Sequence, residues 1–405
     1  MRRPLVIALA LLVVPAALAA PAVETRPPNA AGQKPAFEGQ TRAPAPDGPA
    51  RVAVPPVAGG LGNAWALEFL PDGAMLVTEK AGRMRIVRAG SAGREGRAGP
   101  PLEGLPRVDA RGQGGLLDVA LGPDFPRDNL VYWSFAEPRE GGNGTSVARG
   151  RLVRSGEGGR IEGAEVIFRQ TPTYDGTLHY GSRLVFAPDG RLFVTVGERS
   201  DPGPRAQAQS LSSGLGKVFR IEPDGAVPKD NPFAGRDGAL PTIWSYGHRN
   251  VQSAALDGRG RLWTVEHGPR GGDELNRPEG AQNYGWPDVT YGIDYSGRPI
   301  GAGITAKAGT EQPAYYWDPV IAPSGMAWYD GGLIPEWTGA FLVGGLQSEG
   351  IVVLRLAGDR VASEERLPLG ARTRDVKVGP DGAVYALTER DGGGSHILRI
   401  APPGR

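Results

Sequence analysis

A proline-aspartate-glycine turn between two short apolar runs recurs through this chain and constrains its fold more than any other feature. The three close copies begin at Phe69 (FLPDGAMLVTE), Phe186 (FAPDGRLFVTV) and Val378 (VGPDGAVYALT). Proline fixes φ for the turn and glycine supplies a positive φ, so each copy reads as a hairpin between alternating apolar strands. Looser copies run from Leu121 (LGPDF, then LVYWS from Leu130) and from Leu256 (LDGRGRLWTV). A sixth unit runs from Ser324 (SGMAWY) to Phe341 (FLVGG). The spacing of about 50–70 residues suits long propeller blades with insertions. A further strand follows most copies: Arg83-Met-Arg-Ile-Val87, Gly216-Lys-Val-Phe-Arg-Ile221, Gly350-Ile-Val-Val-Leu-Arg-Leu356 and His396-Ile-Leu-Arg-Ile400. About six units of about four strands each predict an all-β, six-bladed β-propeller. The competing arrangement is an irregular pair of β-sandwiches. No long 3.6-residue apolar period argues for helices instead.

Composition agrees. Gly 63 and Pro 38 approach the level at which disorder is suspected, but they punctuate the apolar runs instead of clustering. With 45 basic against 44 acidic residues, the chain lacks the charge for general nucleic-acid or anionic-membrane binding. It has no cysteine, which removes disulfides, thiolate catalysis and zinc–thiolate sites.

Residues 1–20 read as a secretory signal: Arg2 and Arg3, an apolar run from Leu5 to Val14, and the small-residue site Ala17-Leu18-Ala19. The expected destination is the periplasm, with no stable membrane insertion after cleavage; an uncleaved anchor is the alternative. Residues 21–51, rich in Pro, Ala and Gly, are expected to be a flexible lead-in. The propeller domain is expected over 52–402.

The stretch from Glu266 to Tyr295 is the long loop most suggestive of a site. It carries Glu266, His267, Asp273 and Glu274 among glycines and prolines, then Asn283-Tyr284-Gly285-Trp286. Carboxylates beside glycines that can turn main-chain carbonyls inward are the donor mixture that holds calcium. A purely structural Ω-loop is the other reading. Of the four histidines, His179 stands just before a unit's opening strand. It either acts as a general base or ties down backbone. His248 and His267 are expected to hydrogen-bond loops, and His396 to be structural. Arg249-Asn250 follows Trp244-Ser-Tyr-Gly-His248, and Arg372 and Arg374 share one face if their segment is extended, so their guanidinium groups could grip a polyanion. A solvated rim explains such charges equally well. Gln113 lies between glycines that would admit a ligand, although backbone flexibility alone explains them equally well. No Walker A loop, strand-to-helix GxGxxG or nucleophile elbow with its supporting elements is present.

These segments together resemble the glucose/sorbosone dehydrogenase family, and within it the soluble aldose sugar dehydrogenases that use pyrroloquinoline quinone (PQQ). The likeness is carried by GQGGLLDVALGPDF, HYGSRLVFAPDGRLFVTVGER, GKVFRIEPDGAVPKDNPF, WSYGHRNVQ, EHGPRGGDELN with NYGWP and YGIDYSG, SGMAWY and RTRDVKVGPDG, in order over residues about 60 to 400. The resemblance implies a propeller that oxidises the C1 hydroxyl of aldose sugars to lactones by hydride transfer to calcium-bound PQQ. It implies His179 as base and Arg249 as stabiliser of charge on the quinone oxygen. Gln113, Asn250, Tyr295, Gln347, Arg372 and Arg374 become cofactor contacts. Gly268 and Pro269 become main-chain ligands of that calcium, and Glu274 and Tyr284 match a second, structural calcium site. Two departures stand out: Gln347 takes the place of a usual lysine, and Leu178 that of an acidic residue found in the glucose-specialised branch. Two other functions remain open, a calcium-dependent lactonase-type hydrolase and a non-catalytic sugar-binding propeller. The sequence names no electron acceptor or preferred aldose, and leaves monomer or homodimer open.

Overall fold

A computed structural model describes residues 21–90, 94–390 and 392–404, so the expected signal segment lies outside the described residues. The chain is all-β, with 44% of residues in strands and 4% in helices. After β1 (Pro56–Gly62) come β2 (Ala64–Phe69), β3 (Met75–Glu79), β4 (Arg83–Val87) and β5 (Gly96–Pro101). Four separate four-stranded sheets follow. The first is β6 (Leu116–Leu121), β7 (Leu130–Arg139), β8 (Gly142–Ser155) and β9 (Gly158–Arg169). The second is β10 (Leu184–Phe186), β11 (Leu192–Val196), β12 (Lys217–Ile221) and β13 (Ile243–Tyr246). The third is β14 (Val251–Leu256), β15 (Leu262–Glu266), β16 (Asp273–Asn276) and β17 (Tyr315–Trp317). The fourth is β18 (Pro323–Tyr329), β19 (Ala340–Gly345), β20 (Gly350–Ala357) and β21 (Arg360–Pro368). Finally β22 (Arg372–Val378), β23 (Val384–Glu389) and β24 (Gly394–Ile400) pair in turn, and β24 pairs with β1. Because β1 also runs parallel to β5, these strands and β2–β5 form one eight-stranded sheet.

Each predicted hairpin is the first hairpin of its strand group. At Pro71, Pro188 and Pro380 the turn is the same: the following Asp accepts from the N–H two residues on, and the glycine takes φ 79°, 84° and 76°. The opening strands β2, β6, β10, β14, β18 and β22 touch one another in cyclic order, which closes a ring. Hydroxyls cross from one strand group to the next. Thr78 donates to Leu117 O, Ser134 to Ser182 O, Thr195 to Val251 O, Ser253 to Ser324 O and Ser324 to Thr373 O. Apolar side chains such as Trp133, Trp263, Phe341 and Val352 fill the spaces between sheets.

The segment 21–51 departs from the expectation of flexibility. Asp318 accepts from Asn29 N, Asn29 Nδ2 and Ala30 N, and Arg42 donates to the carbonyls of Glu24, Arg26 and Asp318. Gln40 is fully buried between Tyr291 and Pro313, and Ala43 joins the apolar core. Composition misleads here because a few polar anchors against a preformed surface can fix a chain that lacks apolar periodicity. Among the described residues no helix is long and apolar enough to cross a membrane.

Candidate active site

The second strand of several groups ends in a glutamate: Glu79 on β3, Glu266 on β15, Glu389 on β23, and Glu198 two residues beyond β11. Around these carboxylates the candidate site is assembled.

His179 lies between β9 and β10, in a backbone of unusual curvature (φ 49°, with Ser182 at 100°). Such conformations cost about 1–3 kcal/mol for non-glycine residues, so the surroundings must hold them. They do so at several points. His179 N donates to Gln113 Oε1 at 2.9 Å, and Gly181 N to Asn250 Oδ1 at 3.0 Å. Arg199 stacks on the Tyr180 ring at 4.0 Å and donates to Leu178 O and Gly176 O. The imidazole Nδ1 lies 2.8 Å from Glu198 Oε2. A carboxylate there makes Nδ1 the protonated nitrogen and leaves Nε2 as the bare one. Burial first, and then the Arg249 charge, lower the His179 pKa below the usual histidine value. Glu198 stays low despite full burial because His179 bonds and attracts its carboxylate.

Arg249 follows β13 and donates its main-chain N–H to Glu266 Oε2 at 2.6 Å. Its guanidinium lies 5.2 Å from the Trp286 ring, with Nη1 bonded to His267 O and Nε buried without a partner among the described residues. Glu266 is held by His248 Nδ1 at 2.9 Å, and His248 stacks on Tyr284. His267 donates from Nε2 to Pro323 O at 2.7 Å, and burial pushes its pKa down to about 3. Both histidines thus tie loops, as expected, and His267 also forms part of the site wall.

Two hollows meet at His267. The inner one, about 100 Å³, is bordered by Trp65, Lys80, Gln113, Asn250, Arg372 and Arg374. Arg374 grips Glu389 with two bonds of 3.1 Å, and Arg372 reaches the same carboxylate at 3.5 Å. The outer one, about 460 Å³, is bordered by Gly268, Pro269, Tyr295 and Gln347, together with Asn29 from the N-terminal segment. Tyr295 is 72% exposed over it. Of the expected cofactor contacts, Gln113, Asn250, Arg372 and Arg374 border the inner hollow and Tyr295 and Gln347 the outer one, while Arg249 borders neither and His179 reaches the inner one only through Gln113.

The metal expectations divide. Glu274 and Glu266 stand directly opposite each other on β15 and β16. Burial, then the Glu266 charge, drive the Glu274 carboxyl well above its usual pKa, and Asn276 Oδ1 is buried without a partner among the described residues. Two carboxylates and an amide oxygen fit a hard cation. The Tyr284 hydroxyl does not join them, because it donates to Arg277 O and accepts from Glu279 N. Only its main-chain carbonyl is left for the role. The Gly268 and Pro269 carbonyls accept no hydrogen bond among the described residues, which suits ligation. Asp273 beside them is committed to the N–H groups of Gly268, Ile321 and Ala322, against burial that pushes its pKa up to about 7. No cluster of three His, Asp or Glu side chains forms among the described residues, so any calcium here would depend on main-chain oxygen.

Sequence reasoning passed over Glu198, Glu389 and Lys80. The signal was available in the repeat: the hairpin templates put Glu79-Lys80, Glu266-His267 and Glu389-Arg390 at the ends of equivalent strands, and Glu198-Arg199 just beyond another.

Comparison with known proteins bears on this arrangement. The Glucose / Sorbosone dehydrogenase family profile matches residues 61–399. Aldose sugar dehydrogenase YliI of Escherichia coli (strain K12) is 42% identical over 360 residues, covering 87% of this chain and 94% of that protein. The apo-form crystal structure of the soluble aldose sugar dehydrogenase Asd from Escherichia coli superposes with a TM-score of 0.80 at 41% identity. It covers 87% of this chain and 99% of its own. The PQQ-bound aldose sugar dehydrogenase of Streptomyces coelicolor gives a TM-score of 0.71 at 30% identity, with 87% and 99% covered.

Proposed function

The chain belongs to the glucose/sorbosone dehydrogenase family, and from that premise we propose that it is a PQQ-dependent aldose sugar dehydrogenase. Sugar dehydrogenase activity follows from the kinship; cofactor, base and product are the finer reading. The observation that carries it is that Gln113 and Asn250, which hold the backbone of the Glu198-held His179 loop, border the same pocket as Arg372 and Arg374. PQQ is flat and tricarboxylic, and paired guanidinium groups with a bordering Trp65 and Asn250 fit such a molecule. When bound, PQQ supplies a hydride acceptor and calcium supplies Lewis-acid polarisation.

The chain's own residues do the rest. Nε2 of His179 takes the proton of the sugar's C1 hydroxyl as the C1 hydrogen departs with its electron pair, so that C1 becomes the lactone carbonyl. Glu198 holds the imidazole in the tautomer this requires and stabilises the imidazolium that forms. Arg249, fixed by Glu266 and Trp286, offers positive charge where an oxyanion would develop. Glu266, Glu274 and Asn276 with the Tyr284 main-chain carbonyl would hold a structural calcium, and the carbonyls of Gly268 and Pro269 a second one beside the pocket. The same reading takes the fold as a six-bladed propeller, the eight-stranded sheet counting as two blades and β1 closing the last. It also takes the protein as exported to the periplasm, with an electron acceptor still to be identified.

The test is reconstitution of the apo-protein with PQQ and calcium, followed by aldose and an artificial acceptor dye. Dye reduction with lactone formation is expected. Lactone hydrolysis without dye reduction points instead to a calcium-dependent hydrolase, and neither activity to a sugar-binding propeller.

A further inference from the structure

Lys80 stands at the end of β3, one residue beyond Glu79, and borders the inner hollow together with Arg372 and Arg374. Its neighbour Glu79 is not its counter-ion: that carboxylate is taken by Gly62 N, Arg83 and Arg85. The Lys80 ammonium bonds a neutral oxygen, Gly112 O, at 2.6 Å. Of its three donors, the remaining two have no protein acceptor among the described residues. Across the hollow, Glu389 is shared by both arginines. Three cations thus converge with one carboxylate, in a half-buried setting where like charges repel. Burial, then the Arg374 charge, lower the Lys80 pKa, and the Glu389 charge opposes them only in part. Gln347 is neutral and lies on the outer hollow, so it adds no charge here.

We propose that Lys80 is a third cationic contact for an anionic cofactor carboxylate in the inner hollow, beside Arg372 and Arg374. The proposal rests on the PQQ reading above and extends it to a residue that the sequence motifs did not single out. Lys80 has a second consequence through Gly112. It steadies the loop carrying Gln113, whose amide oxygen holds the His179 main chain. Filling the anion site and setting the base are thereby linked through one side chain.

The experiment is a titration of apo-protein with PQQ, followed by quenching of tryptophan fluorescence (Trp65 borders the hollow) at several salt concentrations. The unaltered protein, Lys80→Gln and Lys80→Arg are compared, each checked for an unchanged thermal midpoint. Lys80→Gln is expected to bind about tenfold more weakly with a shallower salt dependence, and Lys80→Arg to bind within about threefold of the original. The trimethyl ester of PQQ should bind all three proteins alike. Equal affinity and salt dependence in Lys80→Gln would overturn the contact. Weaker binding with an unchanged salt dependence would overturn it too, since that is the mark of a purely positioning role through Gly112. If the unaltered protein binds no PQQ, the parent reading itself fails, an outcome the first titration separates from the other two.

Discussion

His179 and Glu198 form the smallest unit that matters to the chemistry, and only half of it is legible in the sequence. A histidine opening a repeat unit between glycine-rich turns is conspicuous; a glutamate 19 residues later is one of many. What the sequence could not convey is that the 176–182 loop folds back over the end of β11. Replacing His179 with alanine should lower turnover about 10²–10⁴-fold while PQQ still binds, measured by dye-linked kinetics beside a PQQ titration. Glu198→Gln should reduce kcat by roughly tenfold to a hundredfold with little change in KM. The pH profile adds a signed test. The base works when neutral, and burial with Arg249 lowers its pKa, so the acid limb of kcat/KM should fall below about 6.5. The Glu198 charge and hydrogen bond oppose that lowering, so Glu198→Gln should move the acid limb to still lower pH. A limb that stays put would remove Glu198 from the proton path.

At the scale of elements, the first hairpin of each strand group was readable because proline, aspartate and glycine each have one local use in a tight turn. The N-terminal segment was not readable, since its order comes from distant partners. Asp318 is the clearest of these, gathering Asn29 and Ala30 from almost 300 residues away in sequence. Asp318→Ala should cost about 2–4 kcal/mol in unfolding free energy and expose the 22–45 stretch to limited proteolysis. Protection from protease equal to that of the original protein would show that Asp318 does not anchor it. The β15–β16 pair makes a different prediction. Glu266 and Glu274 repel across the ladder, so calcium should raise the thermal midpoint of the original protein more than that of Glu274→Gln, which keeps only the Gly268–Pro269 site. Equal calcium responses would place the cation elsewhere.

Across the whole molecule, a single buried side chain joins most of the ring. Arg183 pairs with Asp118 on β6 at 2.9 Å and Asp375 on β22 at 3.0 Å, donates to Gln252 O on β14, and lies 4.4 Å from the Trp65 ring on β2. Those aspartates in turn accept from Leu184 N and Leu67 N. The arginine is therefore an axle for the opening strands and, through Trp65, Gln252 and Arg374, a support behind the inner hollow, a role invisible in sequence because its partners run from Trp65 to Asp375. Arg183→Met should destabilise by about 3–5 kcal/mol in urea unfolding, because two buried carboxylates lose their cation. The central claim is that the scattered cations of the inner hollow form one anion pocket beside the His179 loop. It is tested most directly by isothermal titration of PQQ into the apo-protein and into the Arg372→Gln/Arg374→Gln double variant with calcium present. One site per chain in the original protein and at least about a hundredfold weaker binding in the variant are predicted; equal binding by both would contradict the account.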